Sequence, residues 1–288
     1  MKLANGRLEL TLAPAVGGSI ARFDYRTDAG PVPVLRGSDG ALASVLDAAS
    51  FPLVPYSNRI RGGRFAFRGR EVALVPNMAG DPSPLHGQGW LAPWQAERIG
   101  ADGAELRFEH NAGEWPWRYE ARQYLTLSGT GLAIRLVCRN LSDAPMPCGL
   151  GQHPYFPCTP TTRIDTLVAG AWEIDEHVLP VARVAAEGRF DLADRLVCGQ
   201  GLDHGFDGWG GVARIATPGA PFGITLSSPD AACFQLYSPG GGGLFVAEPV
   251  THTNAALNAP EAEWAKLGLR TLAPGEQMEL NAAIDLAF

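Results

Sequence analysis

The segment Phe65-Ala66-Phe67-Arg68-Gly69-Arg70-Glu71-Val72-Ala73-Leu74 has the pattern of a β-hairpin. Phe65 and Phe67 on one side, and Val72 and Leu74 on the other, are apolar at every second position around a glycine-containing turn. Side chains of an extended chain alternate between two faces, so a period of two marks a strand with one buried face. The basic residues Arg59, Arg61, Arg64, Arg68 and Arg70 fall between or before those apolar positions, which directs several of them to a polar outer face.

The same period recurs along the chain. Leu8, Leu10 and Leu12 alternate with polar residues, and so do Leu106 and Phe108 before His110. A second hairpin runs from Tyr119 through Leu125 and Leu127, turns at Ser128-Gly129-Thr130-Gly131, and returns through Leu132, Ile134, Leu136 and Cys138. Later runs at 222–226, 233–237 and 244–247 are short and bounded by Pro, Gly or Ser. A 3.6-residue period is nearly absent, and the best helix candidate, 259–266, is a couple of turns long. The 35 Gly and 23 Pro suit many tight turns between short strands. No repeat, low-complexity tract or linker interrupts the pattern. The expected fold is all-β: residues 1–288 form one domain, a sandwich of large antiparallel sheets.

A chain of 288 residues that is 46% hydrophobic and 18% charged can bury a large core. Its formal net charge is −7, and apart from the arginines of the hairpin region its 23 basic residues are scattered. Nucleic-acid binding draws on clustered basic residues, so that class is excluded; an acidic surface suits a neutral substrate. Five cysteines with no C-x-x-C pair argue against a disulfide framework and against a cysteine zinc site. His86, His153, His204 and His252 show no H-x-x-x-H spacing, so no metal is expected. The N-terminus enters strand alternation directly, and no apolar run is long enough to span a bilayer. The expectation is a soluble, cytoplasmic protein with no membrane partner.

Four segments place proton-handling or hydrogen-bonding groups beside Gly, Pro and aromatics. In Phe51-Pro52-Leu53-Val54-Pro55-Tyr56-Ser57-Asn58-Arg59, the planar Arg59 fork and the Asn58 amide suit sugar hydroxyls. In Pro84-Leu85-His86-Gly87-Gln88-Gly89-Trp90, a histidine with open approach precedes a ring able to stack on a pyranose. In Gly149-Leu150-Gly151-Gln152-His153-Pro154-Tyr155-Phe156-Pro157, His153 is the best proton-transfer candidate, since imidazole donates or accepts near neutral pH. In Gly243-Leu244-Phe245-Val246-Ala247-Glu248, a carboxylate ends an apolar strand, where burial raises its pKa and strengthens it as a base. Leu202-Asp203-His204-Gly205-Phe206 offers further acceptors.

The ordered series Asn58-Arg59-Ile60, Leu85-His86-Gly87, His153-x-Tyr155-Phe156, Leu202-Asp203-His204-x-Phe206 and Glu248 resembles the galactose mutarotase (aldose 1-epimerase) family. The resemblance implies a β-sandwich of the supersandwich type and no metal or organic cofactor. It also implies that Glu248 is the general base, that His153 is the general acid, and that Arg59, His86 and Asp203 hold the sugar, with Asn58 nearby. Gln152 and the prolines flanking Tyr155-Phe156 depart from the galactose-type pattern, and Glu-Pro-Val-Thr-His around Glu248 is similar to a less characterised bacterial branch.

The chemistry agrees with these residues. A pyranose is a cyclic hemiacetal; it opens when the C1 hydroxyl loses a proton and the ring oxygen gains one. One base and one acid suffice, each contributing roughly 10²–10⁴-fold. The expected partner is therefore a small-molecule sugar. A hexose 6-phosphate held by Arg59, Arg61 and Arg64, and noncatalytic carbohydrate binding on the same sandwich, are the alternatives. The sequence leaves the oligomeric state and the preferred aldose open.

Overall fold

A computed structural model describes residues 1–38 and 41–288. The alternating segments are strands. Leu8–Ala13 alternates buried and half-buried positions, with Leu8, Leu10 and Leu12 inward. The Phe65 segment is the hairpin Arg64–Phe67 and Arg70–Ala73, with Phe65, Phe67 and Val72 buried and Arg64, Arg68 and Arg70 exposed. The longer hairpin pairs Tyr119–Leu127 with Gly131–Asn140 from Tyr119 opposite Asn140 to Leu127 opposite Leu132.

Among the described residues these strands build two large antiparallel sheets, one of nine strands and one of eight. The nine-stranded sheet is centred on Gln277–Ala287, which pairs with Gly131–Asn140 on one side and Gly223–Ser227 on the other. In the eight-stranded sheet the strands Leu202–Asp207, Cys233–Ser238 and Leu244–Val250 lie side by side. The two sheets share one core. Leu106, Leu125, Ile134 and Leu280 of the first belong to the same apolar cluster as Phe206, Phe234 and Phe245 of the second. Burial of these faces, at about 25 cal/mol per Å² of apolar surface, is the main force holding the layers together. A four-stranded sheet over residues 2–35 adds Leu3, Leu10 and Phe23 to that core.

Two sequence expectations change. The helix expected over 259–266 is only the 3₁₀ turn Glu261–Glu263, followed by buried Trp264, whose ring stacks on Phe67 at 5.3 Å. Pro260 and Gly268 bracket too few residues for an α-helical nucleus to be followed by propagation, and ring packing decides the conformation instead. The odd, unpatterned cysteines argued against a disulfide framework, yet Cys158 and Cys198 form a disulfide across 40 residues. The pairing depends on two segments meeting in space, which spacing along the chain does not encode. Cys138, Cys148 and Cys233 are free and buried. No helix among the described residues is long and apolar enough to cross a membrane.

Candidate active site

Strand alternation decides which side chains reach the site. In the eight-stranded sheet Phe206, Phe234, Leu236, Phe245 and Ala247 point into the shared core. Their neighbours Asp203, Gln235 and Glu248 must then point to the opposite face. That face carries a second apolar cluster, including Phe51, Leu85, Trp90, Tyr155 and Val246, beneath the loops that precede and follow the Phe65 hairpin. Between sheet and loops lies a cavity of about 320 Å³, lined by Asn58, Arg59, His86, His153, Asp203 and Glu248, together with Phe51, Trp90, Tyr155 and Gln235. All six site residues expected from the sequence therefore meet in one place.

The loop side is built by a reciprocal backbone arrangement. Asn58 and His86 both have left-handed φ, 57° and 58°, and Arg59 bridges to Leu85. The backbone N–H of Asn58 donates to Nδ1 of His86 at 3.0 Å, and the N–H of His86 donates to the Asn58 carbonyl at 3.0 Å. Because Nδ1 accepts, the His86 proton sits on Nε2. Burial, with the neighbouring His153 and Arg59, holds His86 well below the usual histidine range, so it is a neutral donor. Gly87, also at positive φ, packs so closely on Val54 and Pro55 that a side chain there would strike the Val54 carbonyl.

On the sheet side, Nε2 of His153 lies 3.5 Å from Oε1 of Glu248, and both side chains are at most 10% exposed. Phe51 stacks on the His153 ring at 4.4 Å, and Tyr155 lies at 4.7 Å. Neither Nδ1 of His153 nor Oε2 of Glu248 has a hydrogen-bond partner among the described residues. Burial pushes the Glu248 carboxyl well above the usual range; the negative charge of Asp203 adds to this and Arg59 opposes it. Burial lowers His153 to about 3. Desolvation thus favours the neutral imidazole and the protonated carboxyl in this pair.

Arg59 and Asp203 complete the polar wall. Nε of Arg59 donates to Asp81 at 2.8 Å, and Nη1 donates to the Asn58 side-chain oxygen at 3.1 Å. Gln235 sits opposite Glu248 in the ladder and donates from Nε2 to Asp203 at 2.7 Å. Burial raises the Asp203 carboxyl, while Arg59 and the Gln235 hydrogen bond pull it back.

Other candidates are placed elsewhere. Arg61 is held by Asp175 at 3.2 Å and the Pro180 carbonyl at 2.9 Å, and Arg64 lies exposed on the hairpin. His204, one residue from Asp203, faces the opposite side against Phe190. His252 accepts from the Ser57 N–H at 3.0 Å, with Nδ1 against the Thr253 carbonyl. Trp209 is used up in the core, stacked on Phe234 with Nε1 bonded to Thr166. Trp90 is a wall of the cavity, edge-on to His86. Sequence reasoning missed Asp81 and Gln235. The Asp81-Pro-Ser-Pro approach to His86 was a visible turn signal for the first, but only the strand register reveals the second.

A family profile described as aldose 1-epimerase matches residues 1–285. The uncharacterised Escherichia coli K12 protein YphB is 34% identical over 286 residues, covering 95% of this chain and 94% of its own. A solved E. coli K12 structure, described provisionally as an aldose 1-epimerase, superposes with a TM-score of 0.88 at 31% identity, covering 100% of this chain and 98% of the other. A galactose mutarotase-like protein from Clostridium acetobutylicum has a TM-score of 0.86 at 20% identity, covering 99% and 94%, and shares the fold.

Proposed function

This chain belongs to the aldose 1-epimerase family, and from that premise we propose that it interconverts the α and β anomers of a free hexose. Glu248 takes the proton of the C1 hydroxyl, and His153 delivers one to the ring oxygen. The observation that carries this reading is the 3.5 Å approach of Glu248 to His153 in a cavity that the donors Asn58, Arg59 and His86 also line. The ring C–O bond breaks, C1 becomes the aldehyde carbon, rotation about C1–C2 exposes its other face, and reclosure gives the second anomer. The proton gained by Glu248 and the proton lost by His153 return along the 3.5 Å path or in the reverse step.

Burial supports these roles. A carboxylate whose pKa is raised holds a proton more firmly, so it is a stronger base toward a hydroxyl. The resting imidazole is kept neutral by desolvation, so in this reading the working form arises when the Glu248 proton passes to His153. Opposite charges 3.5 Å apart offset part of that desolvation, and the imidazolium so formed is acid enough to protonate an ether oxygen. The two groups titrate as a pair, so a pH–rate profile reports pair constants rather than those of either residue. His86 Nε2, Arg59 and Asp203 offer donors and an acceptor to the remaining hydroxyls, and Trp90 and Phe51 provide apolar walls.

The hexose 6-phosphate reading is less supported: Arg61 is occupied by Asp175, Arg64 lies outside the cavity, and Arg59 is paired with Asp81. An anomer-exchange assay by polarimetry or NMR, run against free aldoses and their 6-phosphates, tests the function. Faster-than-buffer exchange of a free aldose is expected; binding without any acceleration would mark a sugar-binding protein instead.

A further inference from the structure

Asp81 lies outside the cavity lining yet makes a buried ion pair with Arg59, whose side chain is 10% exposed against 7% for Asp81. We propose that Asp81 is a specificity-determining positioning residue: it aims the Arg59 guanidinium and cancels its charge, so that the site accepts uncharged sugars and turns away sugar phosphates. The inference rests on the mutarotase reading of the cavity.

A guanidinium binds phosphate best through two parallel N–H groups of one edge, with its positive charge unspent. Asp81 removes both advantages. Its Oδ2 takes Nε, which blocks the edge that Nε shares, and its negative charge offsets that of Arg59 across 2.8 Å. The Asn58 side-chain oxygen accepts a hydrogen bond from Nη1, so the guanidinium plane is fixed from two directions. The remaining N–H groups are left as hydrogen-bond donors on a residue that lines the cavity. The other charged groups there are the carboxyls Asp203 and Glu248. With Arg59 already compensated, the residues that line the cavity present a dianionic ligand with no net positive charge; Arg36, outside that lining, lies over the Tyr155 ring.

Asp81 is itself held. Its Oδ1 accepts from the Ser83 N–H at 2.9 Å and its backbone N–H donates to Met78 at 3.2 Å. The same loop carries His86, and Arg59 bridges to Leu85. One carboxylate therefore ties the loop bearing the His86 donor to the Arg59 donor.

The test compares wild type, Asp81→Asn and Asp81→Glu for anomer exchange of glucose and for calorimetric binding of glucose and glucose 6-phosphate. Asp81→Asn is expected to raise KM for glucose on the order of tenfold with a smaller change in kcat, and to tighten glucose 6-phosphate binding by about tenfold. Asp81→Glu keeps the charge and is expected to exclude glucose 6-phosphate as wild type does; if Asp81→Asn does not fold, glucose 6-phosphate binding by Asp81→Glu about tenfold tighter than by wild type overturns the proposal. Unchanged KM and unchanged phosphate exclusion in Asp81→Asn would overturn the proposal, as would phosphate binding by Asp81→Glu equal to that of the Asn variant. If wild type exchanges no aldose, the mutarotase reading fails, while the calorimetric comparison of the two ligands still judges Asp81.

Discussion

Asn58 and His86 hold each other through two hydrogen bonds of 3.0 Å, one from each backbone N–H, with the Asn58 donor ending on the His86 ring. This fixes the tautomer of His86 before any sugar arrives. Nitrogen-15 NMR should find His86 neutral, protonated on Nε2, and without a titration step near 6.5, because burial and the adjacent His153 and Arg59 disfavour its cation. A midpoint near 6.5, or a proton on Nδ1, would break the proposed donor role.

Buried histidines should make the fold acid-labile. His153 is lowered to about 3 and His252 to about 4, from an ordinary 6.5. The unfolded chain takes up protons at these residues as pH falls below about 6.5, while the folded chain refuses them until about 4, so stability is full above the ordinary value and lost as pH falls. Each such residue contributes a slope of at most about 1.4 kcal/mol per pH unit. Urea unfolding between those limits should show this slope, and His252→Gln should flatten it while lowering overall stability. An equal slope in the variant would contradict the assignment.

Glu248 has the opposite sign. Its carboxyl is raised, so the folded protein keeps a proton that the unfolded chain has released. Wild-type stability is therefore full below the ordinary value of 4.5 and declines as pH rises through the folded value. Glu248→Gln removes the cost of burying the charge. It should unfold at higher urea concentration than wild type, with the gap widening as pH rises from 5 toward 8 on the order of a kcal/mol or more. A variant less stable than wild type at pH 8 would show that the carboxylate is better solvated than its 3% exposure implies.

Gly87→Ala should cost about 1–3 kcal/mol, since a Cβ would strike the Val54 carbonyl and Pro55 at a left-handed φ of 68°. Relief of the clash displaces the His86 loop, so KM should rise as well. Thermal melting with steady-state kinetics checks both; a wild-type melting temperature would contradict the packing.

The parts of this molecule that were legible in sequence share a property: they are local. The period of two at Phe65–Leu74, Leu8–Leu12 and Tyr119–Cys138 follows from a single strand facing a single core. Asn58, Arg59, His86, His153, Asp203 and Glu248 were visible because each sits among Gly, Pro or aromatic residues, although Glu248, expected to end its strand, lies inside the strand Leu244–Val250. The illegible parts are pairings. Gln235 matters because register puts it opposite Glu248 and beside Asp203, Asp81 because two loops fold onto one sheet face, and Cys158 because Cys198 comes to meet it. His153 was found but its protonation was not, because desolvation is a property of the assembled cavity.

The most direct experiment is anomer exchange in Glu248→Gln, followed by polarimetry or NMR with an aldose that wild type accepts, beside circular dichroism of the variant. A positioned base is worth roughly 10²–10⁴-fold. A folded Gln variant should fall by that factor toward the buffer rate. A folded variant that exchanges anomers as fast as wild type would remove Glu248 from the chemistry, and with it the pairing to His153 on which the proposed mechanism depends.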